Sequence, residues 1–313
     1  KYGTSNTFAY YYRTGAKRMA GGQNKRFKQF TRGLYAAALY VPEGGYQWRD
    51  DLVPAPEEQS RADRGPWLVE RTPASEPRPA MMSAPLKDES NRGDPGLHRT
   101  FARLDSSPDS IRSFAEKHGR VATAHLLQDA DGTVYWGSSL REWLRERDTL
   151  EALVRIWDHV RNRDTPALEP FITWETKPNR VLLGCAPGLL PGGLVGDIFQ
   201  TSEIVDQWVV GDVIRPFRFF ISQAINERMK GSVSPALLPF TGNDIYMDIY
   251  MVPDSLLASL YVLFALEVGG HQRAPINCKY CKREFIPLTK RKEFCSDSCR
   301  VRYNEKGGPK NGR

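Results

Sequence analysis

Four of the five cysteines in this 313-residue chain fall within residues 278–299, at Cys278, Cys281, Cys295 and Cys299. Two residues separate the first pair, three separate the second, and thirteen lie between the pairs. In a reducing compartment, paired cysteines at such spacing more often bind metal than form disulfides. Four thiolates satisfy a tetrahedral zinc ion at about 2.3 Å each and leave no open position for catalysis. The chemistry expected is therefore one structural Zn2+ ion held by Cys278, Cys281, Cys295 and Cys299. A redox pair, or four unconnected buried thiols, are the alternatives for the same residues.

The intervening sequence suggests how such a site is built. Cys278-Lys-Tyr-Cys281 forms a knuckle, Glu284-Phe285-Ile286 reads as a short strand, and Lys290 to Phe294 as its return strand. Ser296 stands where a helix N-cap belongs, and Asp297 suits the positive end of a helix dipole. Cys299 then projects from the first turn of a helix whose body runs from Arg300 to Lys306.

The pattern of C-x2-C, an aromatic, basic residues and then F-C-S-x-x-C-R resembles the treble-clef zinc fingers of bacterial proteins, of the CGNR type. The resemblance covers residues 276–304. It departs at the signature itself, since Arg300-Val301-Arg302 follows Cys299 in place of Gly-Asn-Arg and only Arg302 matches. More loosely, the segments before it are similar to bacterial proteins in which a mostly helical domain precedes such a finger. The resemblance implies a DNA-binding, regulatory role.

Charge gives a separate indication. Residues 1–42 hold eight Lys and Arg and no acid, whereas 271–313 hold twelve against four acids. The three parts 1–42, 43–270 and 271–313 thus carry +8, −9 and +8 within a net charge of +7. Two basic ends around an acidic body point to a polyanion partner such as nucleic acid, and the resemblance implies DNA rather than RNA. Around the cysteines, Lys279, Lys282, Arg283, Lys290, Arg291, Lys292, Arg300, Arg302 and Lys306 are the candidate phosphate-contacting residues, with Arg300 and Arg302 placed to reach a groove. Solvation of a small module with little core explains the same charges equally simply. In the alternative reading the chain is a non-enzymatic subunit of a larger protein assembly, the finger is a structural clip or docking surface, and the partner is another protein or a second copy.

The N-terminal segment mixes aromatics (Tyr10, Tyr11, Tyr12, Phe27, Phe30) with cations (Arg13, Lys17, Arg18, Lys25, Arg26, Lys28). Such interleaving can stack on bases, although packing of one strand face and one helix face is the favoured reading. Ten of the 22 prolines fall between Pro42 and Pro108, where no helical or strand period is sustained, so 43–109 reads as a linker or long loop. From 110 the pattern is helical. A helix at 110–119 opens on a serine and stops at Gly119. A longer one at 139–162 places Leu140, Trp143, Leu144, Leu150, Leu153, Val154, Trp157 and Val160 on one side. Its Arg141, Glu142, Arg145 and Glu146 read as a solvated face. A hairpin at 171–185 turns at Pro178-Asn179 and leaves Cys185 at a strand end. Helices follow at 214–230 and, capped by Asp254 or Ser255, at 256–268. The last is apolar nearly all round and belongs in a core.

Catalytic patterns are not found. The glycine-rich stretch 185–197 has neither a GK[ST] nor a G-x-G-x-x-G pattern. No histidine precedes a glutamate by two residues as zinc deamination requires. Asp244 and Asp248 sit in an alternating, strand-like run that sets them roughly 13 Å apart, too far to share an ion. His98, His118, His125 and His159 have no local carboxylate or serine pattern, and His271 reads as a linker residue. The longest apolar stretch, 256–268, is 13 residues, against the roughly 20 a spanning helix needs. With no secretory pattern at the start, a cytoplasmic protein is expected, and an opening on Lys1 suits a fragment or processed product. The expected architecture is α+β: a basic segment (1–42), a linker (43–109), a mainly helical domain with a few strands (110–270), and a small treble-clef-like zinc finger with a basic tail (271–313).

Overall fold

A computed structural model describes residues 41–42, 44–55, 65–74, 96–121, 124–176, 179–183, 196–198, 208–238, 248–270, 276–285, 287 and 292–305. It mixes helix and strand. In chain order the elements are β1 (Tyr46–Arg49), β2 (Val53–Pro54), β3 (Trp67–Glu70), α1 (Leu97–Ala102), α2 (Pro108–His118), β4 (His125–Gln128), β5 (Val134–Ser139), α3 (Leu140–Asn162) and α4 (Thr165–Leu168). Then come β6 (Ile172–Thr176), β7 (Asn179–Leu183), β8 (Gly196–Ile198), α5 (Ile214–Met229), β9 (Val233–Leu238), β10 (Asp248–Pro253) and α6 (Leu256–Val268). The C-terminal region adds β11 (Ile276–Asn277), β12 (Glu284–Phe285) and α7 (Asp297–Glu305). The basic aromatic segment up to residue 40, with Tyr10, Tyr11, Tyr12, Phe27 and Phe30, lies outside the described residues. So do Cys185, Asp244 and His271.

The proline-rich stretch differs from its reading as a linker. β1, β2 and β3 come from it and join β4 and β5 in an antiparallel sheet of order β1-β3-β5-β4-β2. The physical reason is burial on both faces of β3. Leu68 packs into the main core with Tyr46, while Trp67 and Val69 meet Leu52 and Leu127 on the opposite face. A strand buried on both sides carries no alternating pattern. At Gly137 on β5 the neighbours come so close that an added Cβ would lie 2.6 Å from Val69 Cγ1 and 2.7 Å from Leu127 Cδ1. β6, β7 and β8 form a second antiparallel sheet, and β9 pairs with β10.

α2 begins two residues earlier than expected, with Pro108 in its first turn. Its cap is Ser107, whose hydroxyl accepts from Ser110 N. α3 is the expected amphipathic helix and buries Trp143, Leu150, Leu153, Val154, Ile156 and Val160. α5 contributes Phe217, Phe220, Ile221 and Ile225, and α6, capped by Ser255, is buried nearly all round. Among the described residues no helix is long and apolar enough to cross a membrane.

The charged face of α3 is not solvated throughout. Glu142 and Glu146 are buried, at 5 % and 6 % exposure. Glu142 completes a capping box: its Oε2 accepts from Ser139 N at 2.9 Å, while Ser139 Oγ accepts from Glu142 N at 3.1 Å. Its other oxygen lies 2.7 Å from His125 Nε2 on β4. Glu146 accepts from Arg228 Nη1 of α5 at 2.7 Å, and that guanidinium stands over the Tyr261 ring of α6.

A larger polar cluster joins α1, α3 and α6. Arg99, fully buried, donates from Nε and Nη2 to Glu267 at 2.8 and 2.5 Å. It also donates from Nη1 and Nη2 to Asp158 at 2.9 and 2.7 Å. His98 Nε2 lies 2.8 Å from Glu267 Oε2, and Arg161 Nη2 reaches Asp158 at 3.1 Å. Burial alone would raise the pKa of Glu267, but the bonds from Arg99 and His98 outweigh it and hold the carboxyl near 2.

Removing one partner from such a buried set strands the other charge, so Arg99→Met should cost about 3–5 kcal/mol in urea unfolding. Because Glu267 has a depressed folded pKa, its contribution is complete above its ordinary value near 4.5 and lost as pH falls toward 2. The stability gap between wild type and Glu267→Gln should therefore shrink steadily from pH 5 to pH 2. A gap independent of pH would mean that Glu267 does not carry its charge in the core.

Candidate metal centre

The four cysteines predicted as ligands come together. One sulfur from each of Cys278, Cys281, Cys295 and Cys299 lies within 4.8 Å of all the others. Cys281 Sγ is 3.6 Å from Cys295 Sγ, which is 3.5 Å from Cys299 Sγ. A tetrahedral ion with metal–sulfur bonds of about 2.3 Å would set its ligands about 3.8 Å apart. The cluster thus has the size of a metal centre.

The backbone explains how two of the ligands are presented. Cys278 N donates to Arg283 O at 2.8 Å, and Lys282 N donates back to Cys278 O at 3.0 Å. Lys282 takes a left-handed conformation, φ 60°, to close this knuckle. The strands on either side then pair with each other, Ile276 opposite Phe285 and Asn277 opposite Glu284. This corrects the expected hairpin: β12 pairs with residues before the knuckle, and Lys292 and Glu293 are not in a strand. The knuckle's own bonds already bring 276–277 and 284–285 side by side.

The other two ligands come with the start of α7. Ser296 caps it as expected, its Oγ accepting from Cys299 N at 3.2 Å, and Asp297 occupies the first turn. The two halves are tied by Lys279 N donating to Glu293 O at 3.1 Å, and by Lys279 Nζ meeting Glu293 Oε1 at 2.7 Å. Phe285 is fully buried, and Phe294 packs on Tyr303 with centroids 5.2 Å apart.

The thiols behave as a set that calls for a cation. Burial opposes ionisation of Cys278, but backbone donors from Cys281, Cys295 and Tyr280 overcome it and lower its pKa to about 6. Cys295 is pushed up to about 12, first by burial and then by the neighbouring sulfurs. Negative charge gathered on one sulfur is thus refused by the next unless a cation balances it. Four sulfur donors in a closed shell suit a soft or borderline metal ion and leave no site for substrate.

Of the candidate phosphate-contacting residues, Lys279 is engaged by Glu293, and Arg300 Nη2 lies 3.3 Å from Asp297 one turn earlier. Lys282, Arg283 and Arg302 are exposed and form no ion pair among the described residues. Lys292 is half-buried. Lys290, Arg291 and Lys306 lie outside the described residues. No family model matches the chain, and neither a curated protein nor a solved structure does.

Purified protein should hold about one equivalent of bound metal per chain by elemental analysis. Cys295→Ser and Cys299→Ser should lose it, and amide exchange across 276–305 should rise sharply, because small metal modules draw their folding energy from the ion. Cys185→Ser should retain the metal. A metal-free mutant with unchanged protection over 276–305 would remove the metal from the fold.

Proposed function

We propose that this chain is a nucleic-acid-binding protein, regulatory in role, whose four cysteines hold one zinc ion in a treble-clef-like finger that docks on duplex DNA. The observation that carries this reading is the placement of a basic helix and a basic knuckle around one tetracysteine cluster. Lys282 and Arg283 sit on the knuckle beside Cys281, and Arg300 and Arg302 follow Cys299 on α7. A closed sulfur shell rules the ion out of substrate chemistry, so its work is to fix these cations relative to one another. Lys282, Arg283 and Arg302 have no internal carboxylate to satisfy them among the described residues. Phosphate groups satisfy such side chains and release counterions as they do so. The excess of twelve Lys and Arg over four acids in 271–313 extends the same field.

A second reading rests on a different observation. Ile276 and Val301 are exposed at 36 % and 50 % on the same small module, and Lys279 and Arg300, two of its six described cations, are paired with its own carboxylates, which suits a surface that docks on protein.

A salt titration separates the two. Binding of the full chain to random-sequence duplex DNA should weaken steeply with salt. Replacing Lys282, Arg283 and Arg302 together by Gln should reduce the log–log slope by about 0.9 per lost contact, or between 2 and 3 in all, taking roughly one phosphate each. An unchanged slope would take the finger out of the DNA contact. Flat, weak binding by both proteins would leave the docking reading in place.

A further inference from the structure

The helical body carries a solvent-open depression of about 340 Å³ at the meeting of α3, α5 and the end of α6. That volume lies within the range of small-molecule sites. Its walls are Trp157 of α3, Trp208 just before α5, Phe219 of α5 and Val268 at the end of α6. Trp208 and Phe219 form a corner, their centroids 5.6 Å apart and their planes at 74°. Two planes set nearly square can stack against one flat ring and meet its edge at the same time.

The charged groups lining this corner are all cations, and the Ser222 hydroxyl is turned to donate to Phe219 O at 2.7 Å. Arg215 and Arg218, one turn apart on α5, line the cavity, and no carboxylate does so among the described residues. Arg215 is held by Asp212, with Nε 3.4 Å from Oδ2. Arg218 is exposed and has no ion pair among the described residues. The indole N–H of Trp157 is buried without an acceptor, a state that native structures rarely leave unexplained.

We propose that this corner binds a small planar organic anion of the aromatic carboxylate class. The ring packs into the corner, its face on one of Trp208 and Phe219 and its edge toward the other, and the carboxylate meets the fork of Arg218, which matches it in geometry. A neutral aromatic would use the walls but leave the guanidinium unanswered. An aliphatic acid would do the reverse. The cavity adjoins the polar cluster along the chain, since Trp157 precedes Asp158 and Val268 follows Glu267. A ligand there touches the same two helices that Arg99 ties together. This site is independent of what the finger binds.

The test is calorimetric titration of the full chain with naphthoate, with naphthylmethanol and acetate as the ring-only and charge-only probes. Naphthoate should bind saturably at one site, and each partial probe should bind at least about tenfold more weakly. Arg218→Glu, at an exposed position, should weaken naphthoate about tenfold without altering thermal unfolding. Ser222→Trp, which fills the cavity from another exposed position on its lining, should abolish binding. Equal affinity for naphthylmethanol, or indifference to both substitutions, would overturn the assignment. Displacement of naphthoate by a short oligothymidylate would overturn it too, because the corner would then be a platform for stacked bases.

Discussion

Arg99 is fully buried and divides its guanidinium between two carboxylates, Asp158 from the middle of the chain and Glu267 from its last long helix. A cation in that position is tolerable only while both forks are occupied, since an isolated buried charge is far more costly than any packing contact can offset. The arrangement therefore makes three helices conditional on one another. α1 has no side-chain cap and is only six residues long, too short to persist alone. It is held by what its second and third residues, His98 and Arg99, do in the core. The apolar surroundings that make α6 a core helix also make Glu267, near its end, a poor neighbour without Arg99. The cluster specifies which helices meet and in what rotation, and the hydrophobic residues around it supply the driving force.

A second three-helix junction, which shares α3 and α6 with the first and replaces α1 by α5, is tied by Arg228, Glu146 and Tyr261. Helices α3, α5 and α6 thus meet through ions as well as through Phe217, Ile221, Leu260 and Phe264. The tetracysteine module is built on another principle. Among its described residues Phe285 is fully buried, Phe294 packs on Tyr303, and Lys282, Arg283 and Arg302 are exposed. The body is thus stabilised by enclosed ion pairs, and the module is organised around four sulfurs.

Legibility from sequence followed how local each determinant was. The cysteines, the Ser296 cap and the helix carrying Cys299 were readable because spacing of a few residues fixes them. α3 and α6 were readable from period and length. What escaped the sequence was non-local. Glu142 and Glu146 look like solvent-facing residues because their partners, His125 and Arg228, lie 17 and 82 residues away. His98 looks unremarkable because its carboxylate is 169 residues off. β1 and β3 hid among prolines because each is four residues long, and β3 is enclosed on both faces. The pairing of the knuckle hairpin is not legible in sequence, because it depends on backbone bonds that no side-chain pattern announces. Trp157, Trp208 and Arg218 come from separate elements, and nothing in their local sequence hints that they meet.

The enclosure of β3 bears on how the protein comes apart. Leu68 belongs to the large core, while its neighbours Trp67 and Val69 belong to the small cluster across the sheet. The two clusters are thus opposite sides of one four-residue backbone, and Gly137 lets the next strand press directly against it. Neither can loosen while the other stays packed, because a shift of the strand by a single residue would turn every side chain to the wrong face. Residues that the sequence presents as an interlude between prolines thereby make the sheet and the helices packed on it melt as a single cooperative unit.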